Sequence, residues 1–231
     1  MDITFTNIRW PVAEEFKPQP ASKFVPEWYK NISSFVDLVG HPDAGDGKQG
    51  ITIKKCMPVF DAITAGYIIP TPCDFFVTKK DGMPWYQWPS EKMDFIHFHP
   101  LHQAPNHPDS NGFPLPKFIN PWGIKTPPGY SCLFVTPFHH GSIFSLLPGV
   151  VDTDKYTDCV NFPFVLRDLN FEGVVPAGTP MVQVIPFKRD NWKTRWGGTE
   201  DKEEAAKIFQ RGASQFFNVY KTKWRSKKEY L

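Results

Sequence analysis

The 231-residue sequence is short of cysteine, of charge imbalance and of long apolar runs. Its four cysteines, Cys56, Cys73, Cys132 and Cys159, include no CxxC pair, which excludes a zinc ribbon and a thioredoxin-like motif. Free, buried thiols in a reducing compartment are the expectation. Lys and Arg number 26 against 24 Asp and Glu, a formal charge of +2, so the bulk charge does not announce a nucleic-acid binder. Pro or polar residues break every apolar run well before about 20 residues, so no membrane-spanning helix is expected. Met1 to Phe5 carry no basic stretch followed by an apolar one, so no secretory signal is expected. A Walker loop, a nucleophile elbow, HExxH and the Rossmann glycine set are all missing.

Proline and aromatics are what the sequence has in excess. There are 24 Pro, about twice the usual share of roughly 5%. The 21 Phe, 8 Trp and 7 Tyr make 16% of the chain. Proline disrupts helix and sheet interiors and stiffens loops. Short strands, tight turns and ordered loops pinned by rings follow, and a helical bundle or a repeated βαβ fold does not.

Strands are expected where apolar residues alternate or cluster: Ile3 and Phe5; Ile51, Ile53 and Lys55; 66–70; and 74–78. Lys80-Asp81-Gly82 is a hairpin turn leading into Trp85 to Trp88. Further strands are expected within 124–137, 142–147, 158–167 and 180–187, as consecutive strands of one antiparallel structure. Turns at Pro148-Gly149, Glu172-Gly173 and Pro176-Ala177-Gly178 separate them. Pro26 suits the first turn of a short helix over 27–32. The end reads as a helix over 199–228, acidic at its start and capped by Thr199, with five basic residues from Lys221 to Lys228. One domain, 1–231, is expected: an extended arm with loops to residue 50, a β core over 51–190 and the C-terminal helix. The fold class is mainly β, an antiparallel barrel or sandwich.

Three motifs in one order carry a resemblance. They are Pro127-Pro128-Gly129-Tyr130 before a strand, Gly149-Val150-Val151-Asp152-Thr153-Asp154-Lys155-Tyr156, and Gly178-Thr179-Pro180-Met181-Val182-Gln183-Val184. Residues 124–187 are thereby similar to the dUTPase and dCTP deaminase superfamily, which implies a β-clip fold. The resemblance implies a pyrimidine-deoxynucleotide site at Gly129, Tyr130, Asp152, Asp154, Tyr156 and Gln183. There an Asp meets a sugar hydroxyl or a water, and a Tyr packs on the deoxyribose. The superfamily's phosphate-gripping Arg-Ser pair is replaced by Phe138-His139, its glycine-rich tail is missing, and no Glu stands at the deaminase position. Residues 55–70 and the run Lys117 to Trp122 resemble a family of uncharacterised tailed-phage proteins, which implies a phage genome as origin.

Other residues invite separate chemistry. His97-Phe98-His99 places two imidazoles on one strand face, and His139 or His140 could be a distant third ligand, as in cupins. Gln103 stands where a cupin has a carboxylate. Asp152 and Asp154, two apart, suit a cation or an acid/base pair, or a turn whose carboxylates accept backbone N–H bonds. Pro84 to Pro89 carries Trp85, Tyr86 and Trp88 and suits carbohydrate or partner contact, or simple anchoring of core and loops.

Three readings stand in this order. The first is a phage-encoded, non-enzymatic assembly or interaction protein, in the host cytoplasm or the virion, forming a homo-oligomer or binding other phage proteins. It needs no cofactor. The second is a pyrimidine-nucleotide binder or hydrolase, with Mg as its cation. The third is a cupin-like protein holding a transition metal at His97, His99 and His139 or His140.

Overall fold

The computed structural model describes residues 1–38, 49–89, 91, 93–110, 112–213 and 220–231. Where the sequence suggests one domain, internal contacts divide the chain into two compact units. One comprises Met1–Phe24, Ile63–Arg189 and Tyr230–Leu231; the other comprises Val25–Ala62 and Asp190–Glu229.

The first unit is antiparallel β-structure. One sheet has five strands in the order β13 (Gly149–Val151), β11 (Tyr130–Val135), β16 (Pro180–Lys188), β5 (Tyr67–Pro70) and β2 (Gln19–Pro20). Another runs β12 (Phe144–Leu146), β14 (Phe162–Leu166), β9 (Leu115–Phe118) and β8 (Ile96–His99). A third runs β15 (Gly173–Val175), β6 (Phe75–Lys80) and β7 (Met83–Gln87). The N-terminal residues join the sheets as well, since β1 (Thr4–Asn7) pairs with β10 (Trp122–Lys125) and β2 with β5.

The β6–β7 hairpin is the one the sequence announces. Lys80 faces Met83, and Asp81 and Gly82 adopt φ of 52° and 77°, the positive pair a type I′ turn requires. The strands of 124–187 depart from expectation. They are all antiparallel, yet they are shared among four sheets and do not follow one another across one. Between β10 and β11, Pro127 and Pro128 cannot adopt positive φ, so no tight primed turn forms and the chain passes to another sheet.

Rings fill the centre of this unit. Phe118 stacks on Phe164 at 4.0 Å and 10°, with Phe75, Phe95 and Phe144 edge-on or tilted around it. All five are fully buried. Offset stacks and edge-to-face contacts satisfy the ring quadrupoles. Gly66, at φ 67°, lets β5 lie against β16: a Cβ there would meet the Val184 carbonyl oxygen at 2.0 Å.

The second unit holds helices α1 (Glu27–Asn31) and α3 (Thr199–Ala213), the first six residues of α2 (Met57–Ile63), and the pair β3 (Phe35–Asp37) with β4 (Gln49–Ile51). The strand expected to continue through Ile53 and Lys55 ends at Ile51. Thr52 accepts a bond from the Lys54 N–H and starts a 3-10 turn, and Pro58 sits in the first turn of α2. Tyr29 is buried and stacks on Phe60 at 6.0 Å. Arg225 grips Asp61 by Nε at 3.0 Å and Nη2 at 2.6 Å, a pair largely shielded from solvent. The helix expected over 199–228 is described as Thr199–Ala213 and a π turn at Tyr220–Trp224; 214–219 lie outside the described residues, and the chain beyond Trp224 is not helical. Among the described residues no helix is long and apolar enough to cross a membrane.

Candidate functional site

Four of the nucleotide-site candidates, Gly129, Tyr130, Asp152 and Asp154, do come together, and they do so around a residue the sequence reading passed over. Gly129, at φ 85°, turns the chain into β11, and its N–H donates to Asp154 Oδ2 at 2.8 Å. Ser131 donates its hydroxyl to Asp152 Oδ1 at 2.7 Å. Arg189, one residue past β16, donates from Nη1 to Asp154 Oδ1 at 2.8 Å, and to the Tyr130 carbonyl and Ser131 Oγ at 3.0 Å each. Its Nη2 closes a second bond to Asp154 Oδ2, and Asp152 lies 3.2 Å from Nη1. The β11–β16 register puts Tyr130 opposite Lys188, and this delivers Arg189 beside Gly129.

The electrostatics follow from those bonds. The Arg189 guanidinium, helped by the Gly129 N–H, holds Asp154 far below the ordinary carboxylate range. The Ser131 hydroxyl and then Arg189 lower Asp152. A general acid needs a raised pKa, and a phosphate-gripping Arg needs free donors. Here both carboxylates stay ionised and the fork of Arg189 is engaged by Asp154, Tyr130 and Ser131. The arrangement is a clasp between the start of β11 and the end of β16.

The remaining nucleotide-site candidates stand apart from the clasp's polar bonds. Tyr156 is half exposed, and its N–H bonds the Asp152 carbonyl at 2.8 Å in a turn. Gln183 is fully buried on β16. It accepts from the Phe138 N–H at 2.9 Å and donates to the Ala65 carbonyl at 2.7 Å, tying two loops to the strand.

The histidines are used locally. His97 Nε2 bonds Asp94 Oδ1, and His99 Nδ1 lies 2.7 Å from Gln103 Oε1. His139 takes positive φ, 62°, in the turn after β11. His140 Nε2 is sealed from solvent without a hydrogen-bond partner, and burial, with the neighbouring His139, pushes its pKa down. Among the described residues no group of three or more His, Cys, Asp or Glu is placed to hold a metal ion. His97, His99 and His139 or His140 are thus not gathered into such a group. The four cysteines are free thiols.

Two further features lie outside the clasp. The aromatic-proline segment borders an apolar cavity of about 190 Å³, walled by Trp85, Tyr86, Phe98, Phe113, Leu115 and Leu166 among others. Trp85 and Phe98 stack at 6.1 Å and 18°. In the second unit, Trp192 and Trp196 are 90% and 93% exposed on an irregular stretch that leads into α3. The helix start is held by Asp201, which accepts from the Gly198 N–H at 2.8 Å and pairs with Arg195, so the capping expected of Thr199 comes from Asp201. Every residue of α3 from Lys202 to Gln210 is exposed, including Ile208 and Phe209. No family model matches the chain, and no curated protein sequence matches it significantly.

Proposed function

We propose that the chain is a non-enzymatic assembly protein, phage-encoded and built on a dUTPase-like β-clip scaffold, that associates with further copies of itself through residues 190–213. The scaffold is supported by the order of the motifs over 127–130, 149–156 and 178–184. The phage origin is supported by residues 55–70 and 117–122, and it brings the host cytoplasm or the virion as the place of action. The observation that carries the assembly reading is α3, exposed from Lys202 to Gln210 although Ile208 and Phe209 are apolar. A lone helix of about 15 residues is marginal in water, and most helices are stabilised by packing an apolar face.

A second copy is the partner the charges favour. Glu200, Asp201, Glu203 and Glu204 dominate the first turns around Lys202, and Lys207 follows one turn on. An antiparallel pair of α3 helices sets each acidic end against the partner's basic end. Ala205, Ile208 and Phe209, at helical spacing, then meet along the seam. The engaged Arg189 and the ionised Asp152 and Asp154 support the absence of nucleotide chemistry.

Light scattering on the eluting protein tests this. The full chain should run as a dimer or larger at roughly 10–100 μM, and Ile208→Asp combined with Phe209→Asp should return it to the monomer. A wild-type monomer across that range overturns the reading. So does turnover of dUTP or dCTP with magnesium at roughly 1–10³ per second that Asp152→Ala abolishes.

A further inference from the structure

The cavity beside Trp85 has features that a simple packing defect lacks. Protein interiors carry few voids larger than a water molecule, and an engineered apolar void of roughly 150 Å³ already takes up benzene. This one, at about 190 Å³, is built by four parts of the first unit: β7 with Trp85 and Tyr86, β8 with Phe98, residues 109–110 and 113–116 with Phe113, and β14 with Val165 and Leu166. Trp85 and Phe98 remain 39% and 37% exposed, so part of this apolar wall faces water. The near-parallel stack of the two rings gives that wall a flat shape.

Polar groups around it are nearly all engaged. Ser110 donates to the His107 carbonyl at 2.9 Å and accepts from the Gly112 N–H at 3.4 Å. Among the described residues Asp109 is the one charged residue in the lining, and it is not free. Tyr86 is the exception. It is 95% buried, lines the cavity, touches Phe75, Phe98 and Phe164 by its ring, and its hydroxyl has no hydrogen-bond partner among the described residues. The hydroxyl is not among the sealed, unpaired polar atoms, which are Trp10 Nε1 and His140 Nε2. The hydroxyl therefore keeps some accessible surface, and Tyr86 is part of the cavity lining. Burial keeps the phenol protonated and able to donate. A hydroxyl with access and no protein partner is free to donate to a ligand acceptor in place of water.

We propose that this cavity is a binding site for a small, uncharged, planar aromatic molecule of one or two rings, whose single polar group hydrogen-bonds Tyr86. The apolar walls take the ring, and the flat Trp85–Phe98 stack favours a planar shape. Among the described residues no cation lines the cavity itself, while the Lys80 ammonium sits over the Trp85 ring at 4.8 Å. The proposal is independent of self-association through α3.

Phenol and toluene are near-isosteric probes that differ by a hydroxyl for a methyl. Ligand-observed NMR titration of the full chain should give phenol a Kd of about 1 mM or tighter, a range a molecule of this size can reach. Phenol should bind roughly 2- to 10-fold tighter than toluene, the worth of one neutral hydrogen bond. Tyr86→Phe should erase that preference while both probes still bind. Val165→Trp, with a ring placed in the cavity, should abolish both, and thermal unfolding of each variant verifies that it folds. Failure of both probes to bind the wild type, binding undiminished in a folded Val165→Trp, or an unchanged preference in Tyr86→Phe each overturns the proposal.

Discussion

Asp154 shows how far a residue's chemistry depends on a partner distant in sequence. Read alone, Asp152 and Asp154 suit a cation or a proton-transfer pair. Beside Arg189 they become the anionic half of a clasp. The folded pKa of Asp154 lies below its unfolded value, which is about 3.9. The unfolded chain therefore binds this proton more readily, and stability rises with pH across the window. The contribution is complete above roughly pH 4 and is lost as the pH falls toward the folded value. Asp154→Asn should lower the melting temperature by several degrees at pH 7. It should also flatten the decline of stability between roughly pH 4 and pH 2, as read by thermal scans across that range. Gly129 was legible because a Pro-Pro-Gly sequence is turn chemistry on its face. Arg189 was not, since nothing near Lys188 and Asp190 in the sequence points to a carboxylate 35 residues earlier.

At the scale of elements, β16 organises the first unit. It pairs with β11 on one side and β5 on the other, and it carries Gln183 at its centre. A fully buried amide on a central strand is tolerated because it satisfies backbone groups that the strands cannot reach. Gln183→Leu keeps the approximate volume and deprives the Phe138 N–H and the Ala65 carbonyl of their partner. Each buried group so orphaned costs about 1–3 kcal/mol, so the variant should lose about 2–6 kcal/mol in urea unfolding monitored by tryptophan fluorescence. A loss under about 1 kcal/mol would mean that solvent reaches both groups. Elements differed in how plainly the sequence wrote them. The Asp81-Gly82 hairpin was legible because its turn type is dictated by two residues. The 3-10 turn over Ile53–Lys55 was missed because Ile51, Ile53 and Lys55 alternate as a strand would, and a local cap at Thr52 overrides that pattern.

For the whole molecule, the cysteines give a readout of how tightly the chain is closed. Cys132 and Cys159 are buried, and burial pushes both thiols up. Cys73 is pushed up to about 11 by the same cause. Thiolate, not thiol, is the reactive form. With Ellman's reagent at pH 8, Cys56 should react first, Cys73 slowly, and Cys132 and Cys159 only once urea unfolds the chain. Rapid labelling of all four in the native protein would mean that the β-structure around Cys132 opens readily.

The sequence by itself determined the mainly β character, because abundant proline and aromatics leave short strands between stiff turns as the economical arrangement. It determined the turns at Gly129 and Gly178 and the hairpin at Asp81-Gly82, where conformation is a property of one or two residues. It marked Trp85 and Tyr86 as candidates for contact, although not the cavity they border. Only the tertiary structure decided that the strands of 124–187 distribute among four sheets, that Arg189 closes on Asp154, and that His97 and His99 are held by Asp94 and Gln103. Those outcomes depend on strand register and on side chains brought together from distant positions, and a one-residue change of register would send each side chain to the opposite face.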